Sequence, residues 1–322
     1  MKIDYSNSPN FLKDFYNYLI ITKNYSVGTA EEYYRSILYF LKFIKEIRKL
    51  DIEIKDFEIF IILSIEQADI ISFMIFLNSY RNNNAKTRNL RLAALKTFFK
   101  YIYQLYPMYC KNKMNPVENI DYSYTTYRLP KYLNLKEAKK LCSIFSDKNC
   151  KEFVRNNLII YLFLVTGLRK SELIGLNIND INFSENVIRV LGKGNKERTI
   201  FITNVLKEKI LKYLEIRHIK DLESFKPLFV SSGDKRISKS TVRYIVNRAY
   251  EMAGLTDKKL TVHSLRHTAA TIMYEETNGD ILLVKKFLGH SSIESTQIYT
   301  HVVNKDLKQA YNLNPLANFK AK

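Results

Sequence analysis

The sequence predicts a mainly α protein with one small β-sheet, divided into an all-α N-terminal domain and an α+β C-terminal domain. Three observations lead there. The chain has 322 residues, more than one core usually organises. Apolar residues recur three and four apart through most of its length, the period of helices with one buried face. Only one pair of segments, Val187 to Leu191 and Arg198 to Ile202, reads as strands, joined by a Gly-Lys-Gly-Asn-Lys turn. A hydrophobic share of 46% is ample for two cores and argues against wholesale disorder.

Phe11, Phe15, Tyr18 and Leu19 mark a first helix. Thr29-Ala30-Glu31-Glu32 has the form of a capping box and predicts a second helix starting at Thr29, with Tyr33, Ile37, Phe40, Leu41 and Ile44 as its apolar stripe. A third helical segment covers about Ile65 to Arg81. A fourth runs from about Lys86 to Tyr103, with Leu92, Leu95, Phe99 and Ile102 on one face. Its other side carries Lys86, Asn89, Ala93, Lys96 and Lys100, a basic stripe that can follow a DNA groove or be an ordinary solvated face. Pro116 and Pro130 bracket a polar stretch without apolar period, so residues 113–130 are expected to be a linker between domains at 1–112 and 131–322.

Beyond the linker, Asn134-Leu135-Lys136-Glu137 offers another helix start, and Val154 to Val165 reads as a buried helix. Gly167 and Gly175 flank a short helix beginning near Arg169. After the hairpin, helices are expected at about Val205 to Ile219, Lys239 to Ala253, His263 to Tyr274, Ile281 to Leu288 and Ile293 to Thr300.

Lys and Arg number 51 against 32 Asp and Glu, a net charge of +19. Such an excess points to a polyanionic partner, because cationic side chains displace the counterions condensed on nucleic acid. Ribosomal, membrane-surface and merely basic soluble proteins share the property. Both halves contribute: residues 1–115 hold 17 basic and 11 acidic side chains. Cys110, Cys142 and Cys150 form no CxxC pair and no metal-ligand spacing, which fits free thiols in a reducing compartment. The N-terminal residues lack a signal-peptide core, and the apolar runs Ile59 to Leu63 and Phe73 to Leu77 are too short to span a bilayer. A cytoplasmic protein without membrane association is expected.

The five histidines are concentrated where chemistry could occur. His263-Ser264-Leu265-Arg266-His267 places two histidines and an arginine within one helical turn. His290 lies 24 residues after Arg266, and Tyr299 nine after His290. Upstream, Thr166-Gly167-Leu168-Arg169-Lys170-Ser171-Glu172 sets an arginine beside a glycine turn, and Lys193 sits in the hairpin turn. Each taken alone has a plainer reading: a surface arginine, a hairpin-tip lysine, core histidines, one tyrosine among 23. The G-x-x-x-x-G-K-[ST] pattern of a nucleotide-binding loop is absent.

In their order and spacing these motifs resemble the tyrosine recombinase family of phage integrases, site-specific recombinases and bacterial Xer proteins, and the resemblance spans both halves of the chain. It implies an all-α core-binding domain and an α+β catalytic domain closing as a C-shaped clamp on double-stranded DNA. It also implies roles. Tyr299 is the nucleophile, Arg169 and Arg266 hold the phosphate, His263 is the general base and Lys193 the general acid. His290 donates a hydrogen bond to the phosphate, and Glu172 orients Arg169 and His263. Chemically the set is coherent. Attack of a phenol on a phosphodiester places negative charge on the non-bridging oxygens, which two guanidiniums can fork. A phenol of pKa about 10 needs a base or a strongly electropositive site. The sequence offers no metal-ligand set, so neither metal nor other cofactor is expected. Tyr274 and Tyr311 are the rival nucleophiles.

The expected product is a 3′-phosphotyrosyl link with a free 5′ hydroxyl, religated without ATP. Lys86, Asn89, Lys96, Lys100 and Arg243 are the candidate DNA contacts. Asn304 to Tyr311, followed by Leu313, Leu316 and Phe319, is expected either to dock on a neighbour in a homo- or hetero-tetramer or to pack on its own chain. An accessory protein is left open. The helices begin near residue 10, so no additional N-terminal arm-binding domain is expected. The Xer-like role, chromosome or plasmid dimer resolution, stands against a mobile-element integrase or excisionase, a type IB topoisomerase and a non-catalytic DNA-binding protein.

Overall fold

Side-chain caps fix where several helices of this chain begin. The structure is a computed structural model and describes residues 7–111, 113–125, 130–145, 150–192 and 197–289. Met1–Tyr127 and Arg128–Lys322 form separate units.

In the first unit, α1 (Asn10–Ile21) is followed by α2 (Val27–Ile47). The Ser26 hydroxyl accepts the Thr29 N–H at 3.2 Å, so α2 starts two residues before the Thr29 start that the capping-box pattern predicts. The apolar run Ile59 to Leu63 forms a short helix of its own, α3 (Ile59–Leu63), and the helix expected from Ile65 to Arg81 is α4 (Gln67–Ser79). Between them Glu66 and Asp69 form a reciprocal capping box, and Arg48 donates to Asp69 at 2.6 Å and to the Ser64 carbonyl at 3.0 Å. Asn84 caps α5 (Ala85–Leu105) through the Thr87 N–H, and Pro107 opens the short α6 (Pro107–Cys110).

The core of this unit is aromatic. Phe15 meets Phe98 edge-on at 5.1 Å between ring centres, and Phe73 meets Phe40 in the same way at 5.1 Å. Each such side chain removed from water contributes roughly 1.5–3 kcal/mol, and edge-to-face pairing adds about 0.5–1.5 kcal/mol. The expected linker folds back onto this unit over 113–125. Val117 is buried in the core, Lys113 donates to the Leu63 carbonyl at 2.9 Å, and Asn89 pairs both ways with the Ser123 backbone at 2.8 Å. A single buried valine and an amide clasp leave no periodic trace.

In the second unit, α7 (Leu135–Cys142) begins at the predicted Asn134–Glu137 capping box. Then come α8 (Lys151–Thr166) and α9 (Lys170–Gly175), followed by β1 (Ile181–Asn182), β2 (Val187–Leu191) and β3 (Glu197–Phe201). The strands form an antiparallel sheet in the order β1-β2-β3, with Ile188 opposite Ile200. β1, with two residues, is too short to show alternation. The helices α10 (Asn204–Ile216), α11 (Lys239–Met252), α12 (Val262–Glu276) and α13 (Ile281–Leu288) complete the described part. The buried residues of α8, α10 and α11 and the inward face of the sheet share one hydrophobic core. The expected Ile293 to Thr300 helix and the tail after it lie outside the described residues.

No helix among the described residues is long and apolar enough to cross a membrane.

Candidate active site

The site is built where two helices end and two begin. α8 closes on Gly167, whose φ of +60° suits glycine. A Cβ there would lie 2.9 Å from Leu288 Cδ2, so the end of α8 is packed against the end of α13. α13 closes on Gly289 at φ +62°, where a Cβ would come within 2.5 Å of Arg198 Cδ. Two glycines therefore let backbone and arginine approach more closely than any side chain would allow.

The turn after Gly167 delivers Arg169 to the N-cap of α9. Its backbone N–H donates to Glu172 Oε2 at 2.8 Å and its Nη1 to Glu172 Oε1 at 2.6 Å. The Glu172 side chain is 2% exposed and that of Arg169 is 30% exposed, so the acid is sealed beneath while the guanidinium reaches the surface. Burial alone pushes the Glu172 carboxyl up. The Arg169 N–H, the charge of Arg198 and the Arg169 guanidinium outweigh it, so the pKa ends below its ordinary value and the group is an anion.

Arg266, in the second turn of α12, is buried. It donates through Nη1 to the Gly167 carbonyl and through Nη2 to the Leu288 carbonyl at 2.8 Å. A buried guanidinium needs acceptors for its five N–H groups, and these carbonyls at helix ends provide two. One side chain thus ties the Arg169 turn to the end of α13. Of the two arginines, Arg169 is the outer one and Arg266 the inner.

His263 stands one turn before Arg266 with its ring at the surface, 4.7 Å between centres from the His267 ring and nearly perpendicular to it. The protein mass around it, then the charges of Arg266 and Arg169, lower its pKa. His267 is brought down to about 4 by burial, with smaller contributions from His263 and Arg266. Both rings are therefore neutral near pH 7, and a neutral His263 can accept a proton. His263 also lines an open cleft of about 570 Å³ with Lys170, Arg243 and Asn247, which puts the predicted DNA contact Arg243 beside the predicted base.

Lys193, His290 and Tyr299 lie outside the described residues, as does Tyr311. Tyr274 is buried in the small core of α12 and α13, beneath Gly279. Arg198 on β3 is not among the residues singled out from the sequence, although strand alternation places it on the same inward face as Ile200 and Ile202, which is the signal that could have found it. In the fold its side chain is 13% exposed and donates to Glu172 Oε2 at 2.8 Å and to the Phe287 carbonyl at 2.8 Å.

The first unit, described by itself, carries the other candidate contacts. Lys86 and Lys100 are exposed on α5. Lys96 lies with Lys23, Tyr25 and Tyr33 along a groove of about 340 Å³, its ammonium 5.0 Å from the centre of the Tyr122 ring. Asn89 is engaged by Ser123, as described above.

Comparison with known proteins identifies the family. Residues 131–306 match the model of the phage integrase family, and residues 12–104 match that of the phage integrase N-terminal SAM-like domain. Tyrosine recombinase XerC of Caldanaerobacter subterraneus subsp. tengcongensis is 38% identical over 317 residues, covering 96% of this chain and 88% of that protein. Tyrosine recombinase XerD of Listeria monocytogenes is 30% identical over 311 residues, covering 94% and 97%. In fold, the chain is similar to XerH site-specific recombinase solved in a post-cleavage complex with palindromic difH substrate, with a TM-score of 0.71 at 23% identity, covering 94% of this chain and 84% of that one. The chain belongs to the phage integrase family and is a tyrosine-type site-specific DNA recombinase.

Proposed function

We propose that this recombinase acts on a double-stranded DNA recombination site in the manner of the Xer proteins, resolving chromosome or plasmid dimers, with Tyr299 as nucleophile. The observation that carries the reading is the convergence of Arg169, Glu172, His263 and Arg266 where α8, α9, α12 and α13 meet. In the reaction the Tyr299 oxygen bonds to phosphorus and the bond from phosphorus to the 5′ oxygen breaks. The phenolic proton passes to His263, and the departing oxygen takes a proton from Lys193. Arg169 and Arg266 stabilise the charge that develops on the non-bridging oxygens, and His290 adds a hydrogen bond. The bond energy is kept in the phosphotyrosyl link, so a 5′ hydroxyl from a partner duplex can complete the exchange.

Lys86, Lys96, Lys100 and Arg243 are the proposed DNA contacts, with the two units closing on the duplex. The tail after Lys305 is proposed to dock on a neighbouring protomer within a tetramer. Incubation with a nicked suicide duplex tests the chemistry. A covalent adduct that survives denaturation and disappears with Tyr299→Phe is expected; an adduct that persists in that variant rules out the assignment. Deleting the residues after Lys305 should abolish pairing of two sites while DNA binding is kept, and unimpaired recombination would refute the docking role.

A further inference from the structure

Arg198 holds a position that the proposed chemistry does not use. It stands on β3, inside the protein, and reaches two other elements: α9 through Glu172 and the end of α13 through the Phe287 carbonyl. We propose that Arg198 is a positioning residue of the cleavage site, which keeps Arg169 available to the phosphate by sharing Glu172 with it. The inference rests on the reading of Arg169 as a phosphate-holding side chain.

The first reason is the geometry of the carboxylate. Glu172 Oε2 accepts from Arg198 Nη2 and from the Arg169 backbone N–H, both at 2.8 Å, which leaves Oε1 alone for the Arg169 guanidinium, at 2.6 Å. A carboxylate with both oxygens free takes an arginine as a two-pronged fork. Here the second prong is blocked, so Arg169 is held by one hydrogen bond and its remaining N–H groups are not drawn down onto Glu172. Exposure follows the same order: 2% for the Glu172 side chain, 13% for Arg198 and 30% for Arg169.

The second reason is charge. Arg169 and Glu172 alone sum to zero, and a neutral pair attracts a phosphate weakly. With Arg198 the trio carries a net positive charge beneath the outermost guanidinium. A cation serving only to close the end of α13 would not need this arrangement, since any neutral donor satisfies a carbonyl.

The third reason is how Arg198 is itself fixed. Its Nη1 donates to the Phe287 carbonyl at 2.8 Å, and Gly289 leaves room for its Cδ where any Cβ would intrude at 2.5 Å. Gly289 immediately precedes His290 in the chain. The placement of Arg169 is therefore coupled through one side chain to the backbone from which His290 follows.

Two full-length variants separate charge from packing. Arg198→Gln keeps a donor for Phe287 without the charge; Arg198→Lys keeps the charge on a different head group. The DNA probe is a nicked duplex carrying a site selected from a randomised library by binding to the wild-type protein. Arg198→Gln should slow single-turnover cleavage by about 10–100-fold, somewhat less than loss of a direct donor to the transition state, with DNA affinity nearly unchanged. Arg198→Lys should recover most of that loss. With a methylphosphonate at the scissile position, which removes one anionic oxygen, the wild type and Arg198→Gln should converge. Equal losses in both variants, or a Gln variant that cleaves like the wild type, would overturn the proposal.

A second measurement needs no cleavage. The His263 ring, titrated by NMR in DNA-free protein, should have a higher midpoint in Arg198→Gln, because a neutralised Arg169 no longer disfavours the imidazolium. In Arg198→Lys it should stay near the wild-type midpoint. A wild type that forms no adduct would refute the cleavage reading, and the His263 titration alone would still decide Arg198. Identical midpoints in all three proteins would count against it. Should Arg198→Gln not fold, Arg198→Lys is compared with the wild type on the two DNA substrates. A deficit confined to the phosphodiester then supports the proposal, and an equal deficit on both refutes it.

Discussion

Among the described residues, the largest fully buried side chains of the N-terminal unit are rings, among them Phe15, Phe40, Phe73, Phe98 and Phe99; in the C-terminal unit Arg266 stands with the rings of Tyr213, Phe163 and Phe229. The rings lose water and gain contact, and their neighbours need only fit. Arg266 and Arg198 instead hold carbonyls at helix ends and a sealed carboxylate. Burying charge is costly unless every partner is present, so removing one partner costs more than the intact set contributes. Apolar packing suits a unit that must present a surface. A network of buried charges suits a site that must hold guanidiniums in place.

The severest way to break this contrast is Glu172→Ala. It leaves Arg198 with one acceptor instead of two, and should destabilise the C-terminal unit by about 3–5 kcal/mol, as removal of one member of a buried ion pair does. Urea denaturation followed by probes in each unit should show the loss in that unit alone. In the aromatic core, Phe73→Ala should cost about 3–4 kcal/mol of the N-terminal unit's stability. The cleavage rate of DNA already bound should not change, whereas Glu172→Ala should lower it. Equal effects of the two variants on cleavage would dissolve the distinction.

Acid sharpens it further. His267 is held to about 4, against an ordinary value of 6.5, by burial first. Below about pH 6.5 the unfolded chain takes up a proton that the folded site refuses, so stability falls with pH until about pH 4, by up to about 3 kcal/mol. His263, lowered in the same direction, adds to this loss. Glu172 acts in a lower window: its stabilisation is present above the unfolded carboxylate value and is lost as pH falls through its depressed folded value. Thermal melts between pH 7 and pH 5 should show a steeper fall for the wild type than for His267→Asn.

Smaller effects come from the backbone. Gly289→Ala combines a positive φ with the Arg198 contact and should cost roughly 1–3 kcal/mol, with a cleavage defect. Asn89→Ala removes the clasp on Ser123 and should cost about 1 kcal/mol, read as faster amide exchange over 121–125.

Much of this was legible in the residues themselves. The capping box at Asn134–Glu137, the strand Val187–Leu191 and the helix Ile281–Leu288 stand where pattern puts them, because caps and alternation are local properties. Where pattern failed, a side-chain partner decided. Ser26 rather than Thr29 starts α2, and the Glu66–Asp69 box with Arg48 sets the start of α4. In the site, the i, i+3 spacing of Arg169 and Glu172, and of His263 and Arg266, was readable because a helical turn brings such residues together.

By itself, the sequence determined the helical class, the small sheet and the order of motifs that marks the family. Only the tertiary structure decided that Arg266 is the inner arginine, held by carbonyls on two other segments, and that Arg198 shares Glu172 with Arg169. The physical reason is distance along the chain. Arg198 meets Glu172 across 26 residues and Phe287 across 89, and no periodicity records which buried charge will find which acceptor.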